Sequence, residues 1–574
     1  MIEDVYEPLA RYRDEFKDKF ARLTREKFRQ LTDASAVDVK ANRALVREIR
    51  KLMASAASTR SRRSFFTFLG VVGILAVVIP ICVLVLTSDA PGGEEYVLPC
   101  VGIASLGAIL GILAFVKRSH LTDELKRLEE IIGQQKREAW KQMDALNRLF
   151  TWDVTTRLIE ETVPRLAFDP YFAAERLQFL RSYYGWDDSF NDGKSVIFAQ
   201  SGVINGNPFV FGQYLDQDWG TETYNGSLEI SWTELEEDAE GHTHRVRRYQ
   251  VLTASVEKPI PVYSEQKFLV YGNDAAPNLT FSRQPSGLSG EADGILDKWR
   301  KSRRLNDLKK FSRNLTDDSE FTLMNNHEFE TWFHAKDRDN EVEFRLLFTP
   351  IAQTQMLKLM KDTEVGYGDD FSFLKNEKIN MLSSKHLDEG AIDTDPKRFQ
   401  TWDYDASQSF FQQFNERYFK DVYFSLAPLL AIPLYQQTRP ETEIWAGVKD
   451  GAPASFWEHE ATANYFGEKR FRHPSCVTRS ILKTQELRRE NGVSEVSVTA
   501  YGFRGEDRTD YVSVLGGDGD WHDVPVPWVE YLPVERTSEM SVAESSAAAE
   551  NLRAQEPQAK AAAFRRTILS LVGG

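Results

Sequence analysis

Four short stretches carry residue types and spacings that could do chemistry. Asn191 to Ser195, "NDGKS", closes on Gly-Lys-Ser as a phosphate-binding loop does. Such a loop cradles phosphate with backbone N–H groups and needs an earlier glycine where Asp188 stands, so the loop is acidic and a poor anion cradle. His242 and His244 in "EEDAEGHTH" set two imidazoles near Glu237 and Glu240. Two neighbouring histidines on one loop lack the third fixed ligand of a zinc site, and the stretch is expected to be a solvated acidic hairpin loop. Asp518 and Asp520 in "GGDGDWHD" resemble the start of a calcium loop, but the liganding run is short and no glutamate closes it, so a tight turn is expected. Cys476 and His473 in "RHPSC" are the sole cysteine-histidine pair, with Pro474 between them, and a structural thiol is expected. No G-x-S-x-G elbow, kinase loop or H-E-x-x-H is present. No catalytic residue, metal ligand or cofactor is therefore assigned, and the chain reads as a non-enzyme. The alternative is an enzyme with an unrecognised site in a cleft of its soluble body.

One charge cluster has a physical case. In "DKWRKSRRLNDLKKFSR", Asp297 to Arg313, eight of seventeen residues are basic: Lys298, Arg300, Lys301, Arg303, Arg304, Lys309, Lys310 and Arg313. They are interleaved with Trp299, Leu305, Leu308 and Phe311. The leading expectation is a solvated face, or one that meets the acidic body of the protein. A protein partner or anionic surface is the functional alternative. Nucleic acid is disfavoured by the net charge of −15, whose field repels phosphate.

Two apolar runs fix where these groups must sit. Phe65 to Leu86 and Val97 to Val116 are uncharged for about 22 and 20 residues, each long enough to cross a hydrocarbon core. Arg60, Arg62 and Arg63 precede the first, Lys117 and Arg118 follow the second, and "LTSDAPGGEEY" between them holds no cation. The positive-inside rule then puts both termini in the cytoplasm and leaves Ser88 to Glu95 as an outer tip. Gly107 and Gly111 form a small-xxx-small pair suited to close packing of the second helix on the first. Of the three cysteines, Cys82 and Cys100 lie in these runs, so no disulfide framework can form.

Phe16, Phe20, Leu23, Phe28, Leu45, Ile49 and Leu52 recur at helical spacing before the first run. Leu121, Leu125, Leu128 and Ile132 follow heptad spacing after the second. The simplest burial for both stripes is an antiparallel pair within one chain, with a homo-oligomeric coil as the alternative. Pro164 is expected to end the second helix near Val163.

Beyond Asp169 the texture becomes β-like, with "SVIFAQ", "PFVFG", "SLEISW" and "KFLVYG" read as short strands separated by Gly, Asn, Asp and Pro. Asn325 and Asn326 can cap a helix, "HEFETWFHA"; Val342, Phe344, Leu346 and Phe348 alternate as an expected strand; Thr349 and Pro350 open a further helix. The block "FETWF…EVEFRLLFTPIAQTQMLKLM", with Phe329, Phe333, Arg345, Thr349 and Pro350, behind an N-terminal helix and two close spans, resembles an uncharacterised bacterial family of domain-of-unknown-function membrane proteins. The resemblance covers roughly residues 1 to 390. It implies a bacterial inner-membrane protein and carries over no activity.

The expected fold is α+β: a transmembrane helical hairpin with an amphipathic, coiled-coil-like stalk and a β-rich cytoplasmic body of one or two domains. The expected segments are 1–63 amphipathic helices, 64–116 hairpin, 117–165 stalk, 166–390 α+β domain, 391–538 a second β-rich domain and 539–574 a low-complexity tail. The expected function is that of a membrane-anchored cytoplasmic binding, scaffold or sensor protein, whose partners are the bilayer, met through two spans, and a protein of unknown identity.

Overall fold

The computed structural model describes residues 6–87, 97–187, 191, 193–237, 243–288, 295–313, 321–436, 451–544, 560–564 and 568–572. The chain divides into two compact units. Residues 24–150 and 396–414 form one, and residues 1–23, 151–395 and 415–574 form the other. The division differs from the expected linear order of domains.

The first unit is built on long helices. After α1 (Lys17–Ser35), Asp38 accepts the Ala41 amide at 2.9 Å and opens α2 (Val39–Thr87); α3 (Val97–Asn147) runs back beside it. At about 1.5 Å per residue each of the last two is about 75 Å long. Both are long and apolar enough to cross a membrane, and the most apolar window of each is only 11% buried, which argues against a soluble core helix. Between their apolar stretches a Cβ on Gly73 would sit 2.8 Å from the Gly111 amide, and one on Gly107 would sit 2.8 Å from Ala76. The small residues therefore bring the two backbones of this one chain together. The outer tip, 88–95, lies outside the described residues.

Outside the apolar stretches the same two helices continue as an antiparallel pair. Ile49 and Ala56 meet Leu125, Ile132 and Ala139 in a buried seam, edged by Leu45, Leu52 and Leu128. Arg60 and Glu129 pair at 2.8 Å on its surface. The helix expected to reach Val163 ends at Asn147, whose side chain donates to Thr401 O at 3.1 Å and accepts from Thr401 N at 3.3 Å. A separate helix, α4 (Val154–Thr162), is the one that stops ahead of Pro164.

The second unit holds two antiparallel sheets. The larger has the order β1-β2-β3-β4-β7-β6-β5, from β1 (Leu166–Phe168), β2 (Ser195–Ile204), β3 (Asn207–Glu237), β4 (Thr243–Gly272), β5 (Thr280–Arg283), β6 (Phe371–Asn376) and β7 (Ile379–Ser384). The smaller has the order β11-β12-β10-β9-β8, from β8 (Ile481–Glu490), β9 (Val493–Leu515), β10 (Trp521–Ala543), β11 (Lys560–Phe564) and β12 (Ile568–Val572). "PFVFG" and "SLEISW", expected as separate strands, are parts of the single strand β3. β3 and β4 stay paired from Phe209 opposite Tyr271 to Glu237 opposite Thr243, a ribbon about 95 Å long at about 3.3 Å per residue. β9 and β10 form a second ribbon, from Val493 opposite Ala543 to Leu515 opposite Trp521.

The ribbons pack face to face through Ile230 and Leu252 against Val524. Gly226 permits the contact, since a Cβ there would collide with Pro525 O. β10 runs on past the expected boundary at 538, and within the expected tail β12 pairs with β10 and β11 pairs with β12.

The helical block that crosses this unit contains α5 (Ile295–Arg313), α6 (His327–Phe333), α7 (Glu341–Leu347) and α8 (Pro350–Lys361). Asn326 accepts the Phe329 amide at 3.1 Å and Thr349 the Ala352 amide at 3.4 Å, the two caps expected from sequence. Residues 342–347 of the stretch expected as a strand instead lie in α7, and Phe348 follows its last turn. Asn340 caps it by accepting the Glu343 amide at 3.0 Å, and Phe344, Leu347 and Phe348 are buried at helical spacing while Val342 and Leu346 are exposed. Arg338 lies fully buried between Glu330 and Glu341, at 2.8 Å from each. Phe281 packs against Phe333, Phe344 and Phe348, so the aromatic block on which the family resemblance rests is a core.

Candidate functional site

Two places in the second unit bring chemistry-bearing side chains together, and sequence spacing foretold neither. The first is a groove of about 310 Å³ between the ribbons. β3 and β4 supply Gln217 and Tyr263, which stand opposite each other in the ladder. β8, β9 and β10 supply Ile481, Tyr501, Phe503 and Glu535, with Tyr501 directly across from both Ile481 and Glu535. Tyr501 and Phe503 are two residues apart and so project to the same face of β9.

The backbone fixes these walls. Tyr263 donates its hydroxyl to Thr478 Oγ1 at 3.1 Å, and the same oxygen accepts the Phe503 amide at 3.1 Å. Val477 N donates to Phe503 O at 2.9 Å, so the chain before β8 continues alongside β9. Gly502 is required there, because a Cβ would lie 2.5 Å from Cys476 Sγ. Trp219 meets Phe503 edge to face, with ring centroids 5.1 Å apart. Burial raises the Tyr263 phenol above its ordinary pKa, so it is neutral at physiological pH.

The second place is a hydrogen-bonded chain of Asp370, His386 and Ser425. Asp370 precedes β6, His386 lies in the short helix α9 (Lys385–Glu389), and Ser425 belongs to α10 (Tyr404–Leu430). His386 Nδ1 lies 2.8 Å from Asp370 Oδ2, and Nε2 lies 3.1 Å from Ser425 Oγ and 3.4 Å from Ser384 Oγ. Asp370 also accepts the His386 amide at 3.1 Å. Tyr367 stacks flat on the imidazole at 4.1 Å and bonds to Asp421, which Arg417 pairs at 2.9 Å. Burial first, and then the bond to Asp421, raise the Tyr367 phenol well above its usual range.

The order Asp, His, Ser is that of a nucleophile relay. The surroundings are not. The cavity beside the ring is about 10 Å³, room for one water at most, and Ser425 is 4% exposed with its hydroxyl donating to Asp421 O at 2.8 Å. The chain can hold α9 and α10 at the start of β6, and it leaves no space for an acyl group.

The residues singled out from sequence are dispersed. Asn191 and Lys194 are tied to the fold: Lys483 donates to both carbonyl oxygens and pairs with buried Glu460 at 2.8 Å, and Glu460 also accepts the Val196 amide at 2.9 Å. His242 lies outside the described residues, and His244 is paired in β4 opposite Glu236. Asp518 accepts the Asp520 amide at 3.2 Å and contacts His522 at 2.8 Å in the turn between β9 and β10. His473 is half-buried and bonds Ser475, whereas Cys476 is buried against Thr478 and Ser480. Among the described residues no group of three or more His, Cys, Asp or Glu could hold a metal ion.

The basic run of α5 splits by face. Arg304 donates to Ser286 O at 2.8 Å, with burial lowering its pKa, Lys301 lies 5.4 Å over the Trp332 ring, and Leu308 is fully buried. Arg300, Arg303 and Lys310 are exposed and Lys309 is half-buried, while the side chains of Lys298 and Arg313 lie outside the described set. The chain matches no family model, no curated protein and no solved structure.

Proposed function

We propose that this chain is a membrane-anchored binding protein, held by its two apolar helices, whose soluble body takes a ligand in the groove between its ribbons. The observation that carries the reading is the groove itself: a volume of about 310 Å³ falls in the range of small-molecule sites, and its aromatic walls carry a few placed polar groups. A sensor or scaffold role follows from the same arrangement, with the bilayer as one partner and a protein as the other. The placement we propose is a bacterial inner membrane with both termini cytoplasmic. It rests on the Arg and Lys flanks of the apolar runs and on the family resemblance.

Retention of a bound molecule tests the binding role. Protein isolated from native membranes should keep a co-purifying small molecule that Phe503→Ala with Tyr501→Ala releases; equal retention by both forms counts against the reading. For topology, a thiol at Ser88 should react with membrane-impermeant reagent in intact cells and one at Ser545 should not, and the reverse pattern overturns it. The rival reading, an enzyme, draws on the Asp370, His386 and Ser425 chain. It is the weaker one, since a catalytic centre needs room for its substrate and this cavity holds about one water.

A further inference from the structure

The groove has a chemical sign. Tyr263, Tyr501 and Phe503 present three aromatic rings, and Glu535 adds a carboxylate opposite Tyr501. The face of an aromatic ring is negative and attracts cations, most strongly where water is partly excluded. The cations nearby are engaged elsewhere: Arg479 pairs with Glu265 at 2.8 Å and Glu468 at 3.5 Å, Arg504 pairs with Glu506 at 2.8 Å, and Arg536 donates to Arg472 O at 3.4 Å. Glu535 has no ion pair among the described residues, and the chain as a whole carries −15.

We infer that the groove between the ribbons binds a small organic cation, an alkylated ammonium with a compact hydrocarbon part, its charge seated against Tyr501 and Glu535 and its apolar part against Phe503 and Ile481. An organic anion is disfavoured by Glu535 and by the ring faces. A purely apolar molecule would leave the Glu535 carboxylate unused. A large lipid does not fit, because about 310 Å³ lies at the small end of ligand sites. The inference rests on the reading of the groove as a binding site and adds the class of its ligand.

Three probes that share a benzyl group test it on the full chain in lipid nanodiscs by titration calorimetry: benzyltrimethylammonium, its neutral isostere neopentylbenzene, and the anion phenylmethanesulfonate. The expected result is that the cation binds at least tenfold more tightly than either other probe. Glu535→Gln should remove most of that preference while leaving the neutral probe unchanged, and Phe503→Ala should weaken both. Equal affinity for cation and neutral isostere overturns the cation inference and leaves the groove as an apolar site. Cation binding that survives Phe503→Ala and Tyr501→Ala lies elsewhere and also overturns it. If none of the three binds, the inference and the groove reading fall together. Glu535 is exposed at the rim, so its substitution does not endanger folding.

Discussion

The ribbon groove and the Asp370, His386 and Ser425 chain differ in what their side chains are for. In the groove, Tyr501 is 45% exposed and Gln217, Tyr263 and Phe503 are half-buried, so their surfaces are open to solvent or to a ligand. In the relay, His386 and Ser425 are each 4% exposed, and His386 has polar neighbours at both ring nitrogens. Polar groups satisfied inside the protein stabilise it, whereas polar and aromatic groups left at a rim are available for recognition. Motif-like order is thus a poorer guide to function here than accessible space.

The largest expected effect is at the relay. Asp370→Ala removes the acceptor for the His386 amide and for Nδ1 and leaves both buried. At roughly 1–3 kcal/mol for each unsatisfied donor, a loss of about 3 kcal/mol is expected, read as a lower thermal transition. Binding at the groove should be unaffected. A ligand affinity that falls with this substitution, without a loss of stability, would break the separation of the two places.

A second effect separates them by pH. Lys375 on β6 is buried, and burial lowers its pKa from 10.5 to about 7, although it donates to Ala275 O at 3.1 Å. Its folded pKa is the lower one, so between about pH 7 and 10 the unfolded chain binds more protons and stability rises with pH. The slope approaches about 1.4 kcal/mol per pH unit for one proton. Lys375→Met should flatten the stability profile across that window. A groove substitution should leave the slope as it is, and an unchanged profile in Lys375→Met would show that another group titrates.

Ser425→Ala should cost less, about 1 kcal/mol, since it deletes one hydroxyl that donates to Asp421 O and leaves Ser384 Oγ at 3.4 Å from His386. A fluorophosphonate probe should not label Ser425 in the folded protein. Stoichiometric labelling that Ser425→Ala abolishes would make the relay catalytic and restore the enzyme reading.

Sequence alone revealed what is local and hid what is long-range. The apolar runs, the Asn326 and Thr349 caps and the turn at 516–520 were legible because each depends on a few neighbouring residues. One error has an identifiable cause. Phe344 and Phe348 with Val342 and Leu346 satisfy a period of two as well as a helical one, and the Asn340 cap decided for helix. In the ribbons, Pro259 and Pro261, and Pro525 and Pro527, lie inside paired strands. Set two apart, each pair places its missing donors on one edge of a strand that continues through them, and blunts that edge against further pairing. The candidate sites were illegible for a simpler reason. Gln217 and Glu535 are more than three hundred residues apart, and Asp370 and Ser425 join only through the packing of α10 on the sheet.

The smallest expected effect is at the groove rim, and it sharpens the comparison most. Glu535 is exposed and has no ion pair among the described residues, so Glu535→Gln removes a charge without leaving any partner unsatisfied. Surface changes of this kind stay within about 0.5 kcal/mol. The thermal transition of the full chain should therefore match the parent at pH 7 and at raised salt. If Glu535 instead stabilised the ribbons by attracting a cation of the chain itself, its loss would lower the transition at low salt and the gap would close as screening increased. Such a salt-dependent drop would make the carboxylate a structural group, and the groove would then resemble the relay in kind.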